Sequence, residues 1–275
     1  MSMANLEIDQ AAGSNDAWFV RRSAAAPQDG LAALFRLMGV AEPAPHATAQ
    51  ITTRRVRAGV ALFHEGTCAQ AVYFIAVGTF KLMHTAEDGY EQVLGFAGRA
   101  EMLGYDALCQ RAYPTTAVAL EDSTVYALPV ADLFGLSARV PALGRVLHLA
   151  ASRQLLHQVE IAHLMAAVSA EVRLARFLLQ FSDHMAERGQ SPRRLYLRMS
   201  RRDIASHLGV AHETVSRSFG ALANWGCVAV NNREVEILDR ERLLACASNT
   251  RGLVHARRGG AAEGAGLARP RAACG

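Results

Sequence analysis

Between Ser200 and Arg217 the chain carries a pattern that few folds accommodate. Ser200-Arg201-Arg202-Asp203 is a capping box, a serine N-cap with an acid three residues on, and it opens a helix with Ile204, Ala205 and Leu208 inside. Gly209-Val210 ends that helix in a tight turn, and a second helix follows from His212 to about Ala223. Val215, Phe219 and Leu222 recur at helical spacing to face a core. Two short helices joined by a glycine turn form the helix-turn-helix pattern. The exposed N-terminal face of the second helix carries His212, Glu213, Ser216 and Arg217, the face that enters the major groove in such units. Glu213 can accept from cytosine N4, Arg217 can donate to guanine or phosphate, and Ser216 can make a small contact with either base type. An isolated Glu213–Arg217 pair would be an exposed ion pair worth a few tenths of a kcal/mol. Here a capped helix precedes it, and Cys227–Val230 and Val235–Leu238 follow, flanking Asn231-Asn232-Arg233-Glu234 as a β-hairpin wing.

The region before this unit divides by texture. Residues 1–45 form an Ala-rich extension whose one periodic element is a short helix from Leu31 to Met38. Residues 46–140 carry short apolar stretches, among them Val60–Phe63, Val72–Val77, Thr79–Met83, Gln92–Phe96 and Ser123–Leu128, separated by Gly, Asp and Pro. Many short strands with turn signals between them predict a β-sandwich or barrel. Pro141 opens a different regime, in which 141–169 reads as one long helix with Leu149, Leu156, Val159 and His163 at spacings of seven, three and four. Such a seam packs on another helix, and a second copy of the chain is the partner it predicts. Residues 170–248 hold a further amphipathic helix and the winged unit, and 249–275 read as a disordered Arg/Gly/Ala-rich tail.

Composition narrows the alternatives. A net charge of +4 is weak evidence for an anionic partner, and of 29 basic side chains the one lysine is Lys81. Arginine suits phosphates and guanine edges but is also what a GC-rich genome encodes. No apolar run approaches the ~20 residues of a spanning helix, which excludes a membrane protein, and with no secretory pattern at the N-terminus the expected location is the cytoplasm. Five dispersed cysteines without a CxxC read as small buried hydrophobes rather than a disulfide framework or zinc site. No HExxH, Gly-rich phosphate loop, GxSxG or paired-carboxylate signature is present, so the expectation is that the chain is not an enzyme.

The stretch Met199 to Arg217, with its Glu-Thr-Val-Ser-Arg core, resembles the Crp/Fnr family of bacterial transcription regulators, within it the Fnr-like branch. Gly59-Val60-Ala61-Leu62-Phe63-His64-Glu65-Gly66 is similar to the first hairpin of that family's sensor barrel, and Val77-Gly78-Thr79-Phe80-Lys81-Leu82 to the next strand pair. The resemblance covers about residues 51 to 247. It implies an α+β architecture: an N-terminal cyclic-nucleotide-binding-like β-roll, a long dimerisation helix and a C-terminal winged helix-turn-helix. It further implies a homodimer on double-stranded DNA with TTGAT-like half-sites. Glu213 and Arg217 would read the central G·C pair and Ser216 an adjacent T·A pair, with His212, Thr214, Ser200 and Arg201 also at the DNA. Glu160 matches an acid that opposes dimerisation in that branch, and on the bland reading is a solvated carboxylate. The loop around Glu87, Asp88 and Gly89 resembles the turn that contacts RNA polymerase, and reads equally well as an ordinary acidic hairpin. The rival reading is an architectural DNA-binding protein with a vestigial barrel and little sequence preference.

The signal stays open at this stage. The branch's [4Fe–4S] cluster needs closely spaced N-terminal cysteines, whereas this chain has none before Cys68 and carries Tyr126 where a further thiolate would lie. The phosphate-gripping Glu and Arg of cyclic-nucleotide members are replaced by Leu103-Gly104-Tyr105-Asp106 and Tyr113-Pro114-Thr115-Thr116, so cAMP is not expected. Four alternatives remain: haem or nitric oxide sensing through His64, His84, His148 or His163; a Cys68–Cys109 thiol switch; an unknown small ligand; and regulation by abundance.

Overall fold

The computed structural model describes residues 22–23, 27–41 and 51–248 of the 275-residue chain. Strand β1 (Arg22–Ser23) and helix α1 (Pro27–Met38) precede a run of strands: β2 (Thr52–Val56), β3 (Ala61–Phe63), β4 (Ala71–Val77), β5 (Phe80–Thr85), β6 (Glu91–Ala97) and β7 (Met102–Leu103). A single-turn helix α2 (Ala107–Gln110) leads to β8 (Thr116–Ala119), β9 (Ser123–Pro129), α3 (Val130–Arg139) and the long α4 (Pro141–Met165). The C-terminal region contains α5 (Ala170–Glu187), β10 (Arg194–Tyr196), α6 (Arg201–Leu208), α7 (His212–Asn224), β11 (Val228–Asn231), β12 (Glu234–Ile237) and α8 (Arg240–Ser248).

The N-terminal strands form two antiparallel sheets, ordered β1-β2-β9-β4-β7 and β3-β8-β5-β6, which enclose a core of Val56, Phe63, Tyr73, Ile75, Phe80, Leu103, Tyr113 and Val125. β4 is an unbroken apolar run because both its faces are covered, one by the opposite sheet and the other by helices. Gly78 permits the sheets to close: its φ is +107°, and a Cβ there would lie 2.0 Å from Ser123 Oγ. On the outer face of the larger sheet, α1, α3 and the first half of α4 bury Leu34, Phe35, Leu133, Leu143 and Val146 against Val72 and Phe74. Each such side chain removed from water is worth ~1.5–3 kcal/mol.

Several expectations need correction. The helix at Leu31–Met38 begins at Pro27, and it packs into the core shared by the larger sheet, α3 and α4 rather than standing apart as an extension. The long helix stops at Met165, not at Ser169, because Ser169 turns extended (φ −85°, ψ 139°) to start α5. Helix α3 was not expected; Pro129 before it and Asp132 in its first turn are the start signal. Of the cysteines, Cys227 and Cys246 are buried in the C-terminal core with sulfurs 3.7 Å apart, whereas Cys68 and Cys109 are exposed. Burial, with the bond to Cys246, pushes the Cys227 thiol up to about 12. The arginine-rich tail 249–275, most of the extension and Cys274 lie outside the described residues.

Candidate nucleic-acid interface

The capping box forms as its residues dictate. The Asp203 N–H donates to Ser200 Oγ at 3.0 Å, and the Ser200 N–H donates to Asp203 Oδ2 at 2.9 Å. Gly209 takes the left-handed conformation (φ 62°, ψ 40°) that ends α6, and the Val210 N–H returns to the Ala205 carbonyl at 3.0 Å. Helix α7 then buries Val215, Ser218, Phe219 and Leu222 against α5 and the wing, which leaves His212, Glu213, Ser216 and Arg217 facing solvent. Arg217 Nη2 donates to Thr214 Oγ1 at 3.3 Å, and no ion pair joins it to Glu213 among the described residues. Both side chains therefore remain available to a base edge. Thr214 is half-buried and positions Arg217.

Strands β10, β12 and β11 pair in that order to form the wing. Its tip is the turn Asn232-Arg233, with Asn232 at φ +53°, a conformation asparagine tolerates. Between this tip and the start of α6 and α7 lies a groove of about 460 Å³ lined by Ser200, Arg201, Arg202, His212, Asn232 and Arg233. The guanidinium groups of Arg202 and Arg233 on an open groove beside the exposed face of α7 suit a phosphate backbone. Arg202 and Arg233 were missed from sequence; the signal was their place in the first turn of α6 and at the hairpin tip. Arg201 departs from its expected role. Its guanidinium lies 3.5 Å from the Phe219 ring centroid, Nη2 donates to the Asn232 carbonyl at 2.9 Å, and burial lowers its pKa. It ties α6 to α7 and the wing.

The winged unit rests on the barrel. Lys81 Nζ donates to Asp203 Oδ1 at 2.8 Å, the Val93 N–H donates to Ser206 Oγ at 2.9 Å, and the Phe96 ring meets His207 edge-on at 5.2 Å. The sole lysine thus grips the acid of the capping box. Burial works against the Asp203 carboxylate, but bonds from Lys81 and Ser200 outweigh it and hold the group below its ordinary range. His207 is buried, and burial, helped by His157 nearby, pushes its imidazole down to about 4. The face of α7 stays clear of this contact.

On α4, Leu149, Leu156 and Val159 are 47%, 59% and 65% exposed, and His163 lies open beside them. Leu155, which the seam did not include, adds to the stripe at 71%. Glu160 needs correction: it sits at the edge of the stripe with its carboxylate turned towards His157 and His184 of its own chain, at 3.5 and 3.6 Å. Glu87, Asp88 and Gly89 occupy the exposed tip of the β5–β6 hairpin, where the Tyr90 N–H donates to Asp88 Oδ1 at 2.9 Å.

A cavity of about 270 Å³ separates β5 and β6 from α4, lined by Leu82, Phe96, Met102, Arg153 and His157 among others. The carboxylates of Glu101 and Asp106 also line it, and Arg111 is exposed outside it. Arg153 is the one cation of that lining, and the two acids more than offset its charge. His64, His84, His148 and His163 do not line the cavity: His84 pairs with Glu65 at 2.5 Å, and His148 bonds the Gly144 carbonyl at 2.7 Å. No helix among the described residues is long and apolar enough to cross a membrane.

Comparison with known proteins agrees with this layout. Residues 53–139 match the cyclic nucleotide-binding domain, and residues 172–246 match the Crp-like helix-turn-helix domain. The chain is 34% identical over 196 residues to the fumarate and nitrate reduction regulatory protein of Salmonella typhimurium, covering 71% of this chain and 78% of the relative. The regulator of the same name in Escherichia coli K12 matches at the same identity and coverage. Among solved structures, FixK2 from Bradyrhizobium japonicum superposes with a TM-score of 0.64 at 24% identity, over 71% of this chain and 96% of that one.

Proposed function

The chain belongs to the Crp/Fnr family of transcription regulators, in the Fnr-like branch and without that branch's N-terminal iron–sulfur cysteines, and from that premise we propose that it binds near-palindromic DNA as a homodimer. The half-sites are of the TTGAT type, read by Glu213, Ser216 and Arg217. The observation that carries this reading is the exposed, unpaired Glu213–Arg217 face of α7 beside the arginine-lined groove. The exposed leucines and valine of α4 are the self-complementary face of a two-fold pair. Arg202 and Arg233 neutralise phosphates, RNA polymerase meets the Glu87–Gly89 tip, and the regulator works in the cytoplasm. An effector in the cavity would press on β6, the strand whose backbone holds Ser206 of α6, and so bear on the winged unit.

A two-fold dimer places its recognition helices about one DNA turn apart. Lengthening the spacer of a TTGAT-N4-ATCAA duplex by ~5 base pairs, half a turn, turns one half-site to the far side. Affinity measured by fluorescence anisotropy is expected to fall to that of a single half-site. Equal affinity for both spacers would count against a dimer reading two half-sites.

A further inference from the structure

We propose that His157, Glu160 and His184 form a binding site for one divalent transition-metal ion of the zinc class, which fastens α4 to α5. His157 and Glu160 stand one turn apart on α4, and His184 reaches them from α5. Glu160 Oε2 lies 3.5 Å from His157 Nδ1 and 3.6 Å from His184 Nε2, and the three atoms fall within 4.8 Å of one another. Two ligands on a tetrahedral ion at zinc bond lengths are about 3.3 Å apart, so small side-chain rotations bring all three atoms onto one ion.

The hydrogen bonding points the same way. His157 Nδ1 and Glu160 Oε2 face each other at 3.5 Å and are both shielded from solvent, yet neither makes a hydrogen bond among the described residues. Buried polar atoms left unpaired are rare, and an ion coordinated by both would satisfy them together. Two imidazoles and one carboxylate are a donor set that suits zinc, and a fourth position is left for water. The side chains are 25–31% exposed, so an ion can enter.

The scaffold around the three residues is already fixed. Gln180, one turn before His184, donates from Nε2 to the Glu160 carbonyl at 3.2 Å, and Arg176 Nη1 donates to the His163 carbonyl at 2.5 Å. These bonds lock α5 against the end of α4. On the far side of the His157 ring, a Cβ on Gly95 would stand 3.6 Å from Nε2, so this nitrogen faces β6 while Nδ1 faces Glu160. The site therefore sits where the long helix, the barrel and the first helix of the C-terminal unit meet.

The test uses untagged, chelator-treated full-length protein, titrated calorimetrically with zinc chloride and, separately, followed by visible absorption with cobalt chloride. One ion per chain is expected, with the ligand-field bands of a tetrahedral cobalt centre and a rise in Tm on zinc addition. His184→Ala and His157→Ala should each weaken binding by at least ~100-fold and abolish the Tm rise. Glu160→Gln keeps the side-chain volume, so it reads the site even where a histidine variant folds poorly. His148→Ala, exposed nearer the start of the same helix, should bind as the parent does. A parent chain that takes up no zinc, or uptake undiminished in Glu160→Gln and both histidine variants, would overturn the assignment.

Discussion

Leu156→Asp together with Val159→Asp is expected to convert the protein to a monomer and to lower its affinity for a full palindrome by ~10²–10⁴-fold. Both side chains are more than half exposed, so replacing them costs the protomer little of its own core. In a two-fold pair each substitution appears twice, and the carboxylates would face one another in an apolar seam. Burying unpaired charges in that way costs more than a helix seam of this size can repay. The loss in DNA affinity then follows from tethering: two linked half-site contacts reinforce one another, and a monomer retains one. Sedimentation velocity and anisotropy on the same samples separate the two effects. A variant that stays dimeric would assign the stripe to something other than self-association.

Replacing Arg217 by Ala has the second largest expected effect. Removal of the guanidinium should cost about 1–3 kcal/mol of base discrimination in each half-site, and about twice that on the full palindrome. Glu213→Ala should relax preference at the C·G position by a similar amount, because a carboxylate that accepts from cytosine N4 disfavours the other bases. Neither residue supports the fold: α7 is held by Val215, Phe219 and Leu222, and the Arg217 side chain hydrogen-bonds Thr214 alone among the described residues. Affinities for single-base variants of the half-site would report the pattern. A uniform loss on every sequence would make Arg217 a phosphate contact instead.

The winged unit was legible in the sequence because its signals are local. A capping box, a left-handed glycine and a helix with a three- and four-residue apolar period each depend on neighbours within a turn or two. The start of α4 was equally plain from Pro141, and β4 from its unbroken apolar run. The end of α4 was not, since no glycine or proline marks it and the break comes from Ser169 starting α5. β2 and β8 escaped notice because Thr52–Val56 is rich in arginine and Thr116–Ala119 is small; both are strands through pairing with β9 and β5. The place of Arg201 in the motif suggests a DNA contact, but Phe219 and the wing capture its guanidinium.

What lies between the two units was invisible for a different reason. Lys81 and Asp203 are 122 residues apart, and nothing in either neighbourhood marks them as partners. The same holds for His184, which comes from another helix to meet His157 and Glu160. Only folding brings such residues together, and only the geometry reveals that Glu160 has turned away from the exposed stripe of α4.

The central claim is sequence-selective DNA binding through α7, and the direct measurement is a titration of the purified protein onto two duplexes at one fixed salt concentration. One carries TTGAT-N4-ATCAA and the other the same bases scrambled. The account predicts that the palindrome is bound at least ~10³-fold more tightly, the lower end for specific regulators. Equal affinity for both duplexes would contradict it and would make the chain an architectural binder of the DNA backbone.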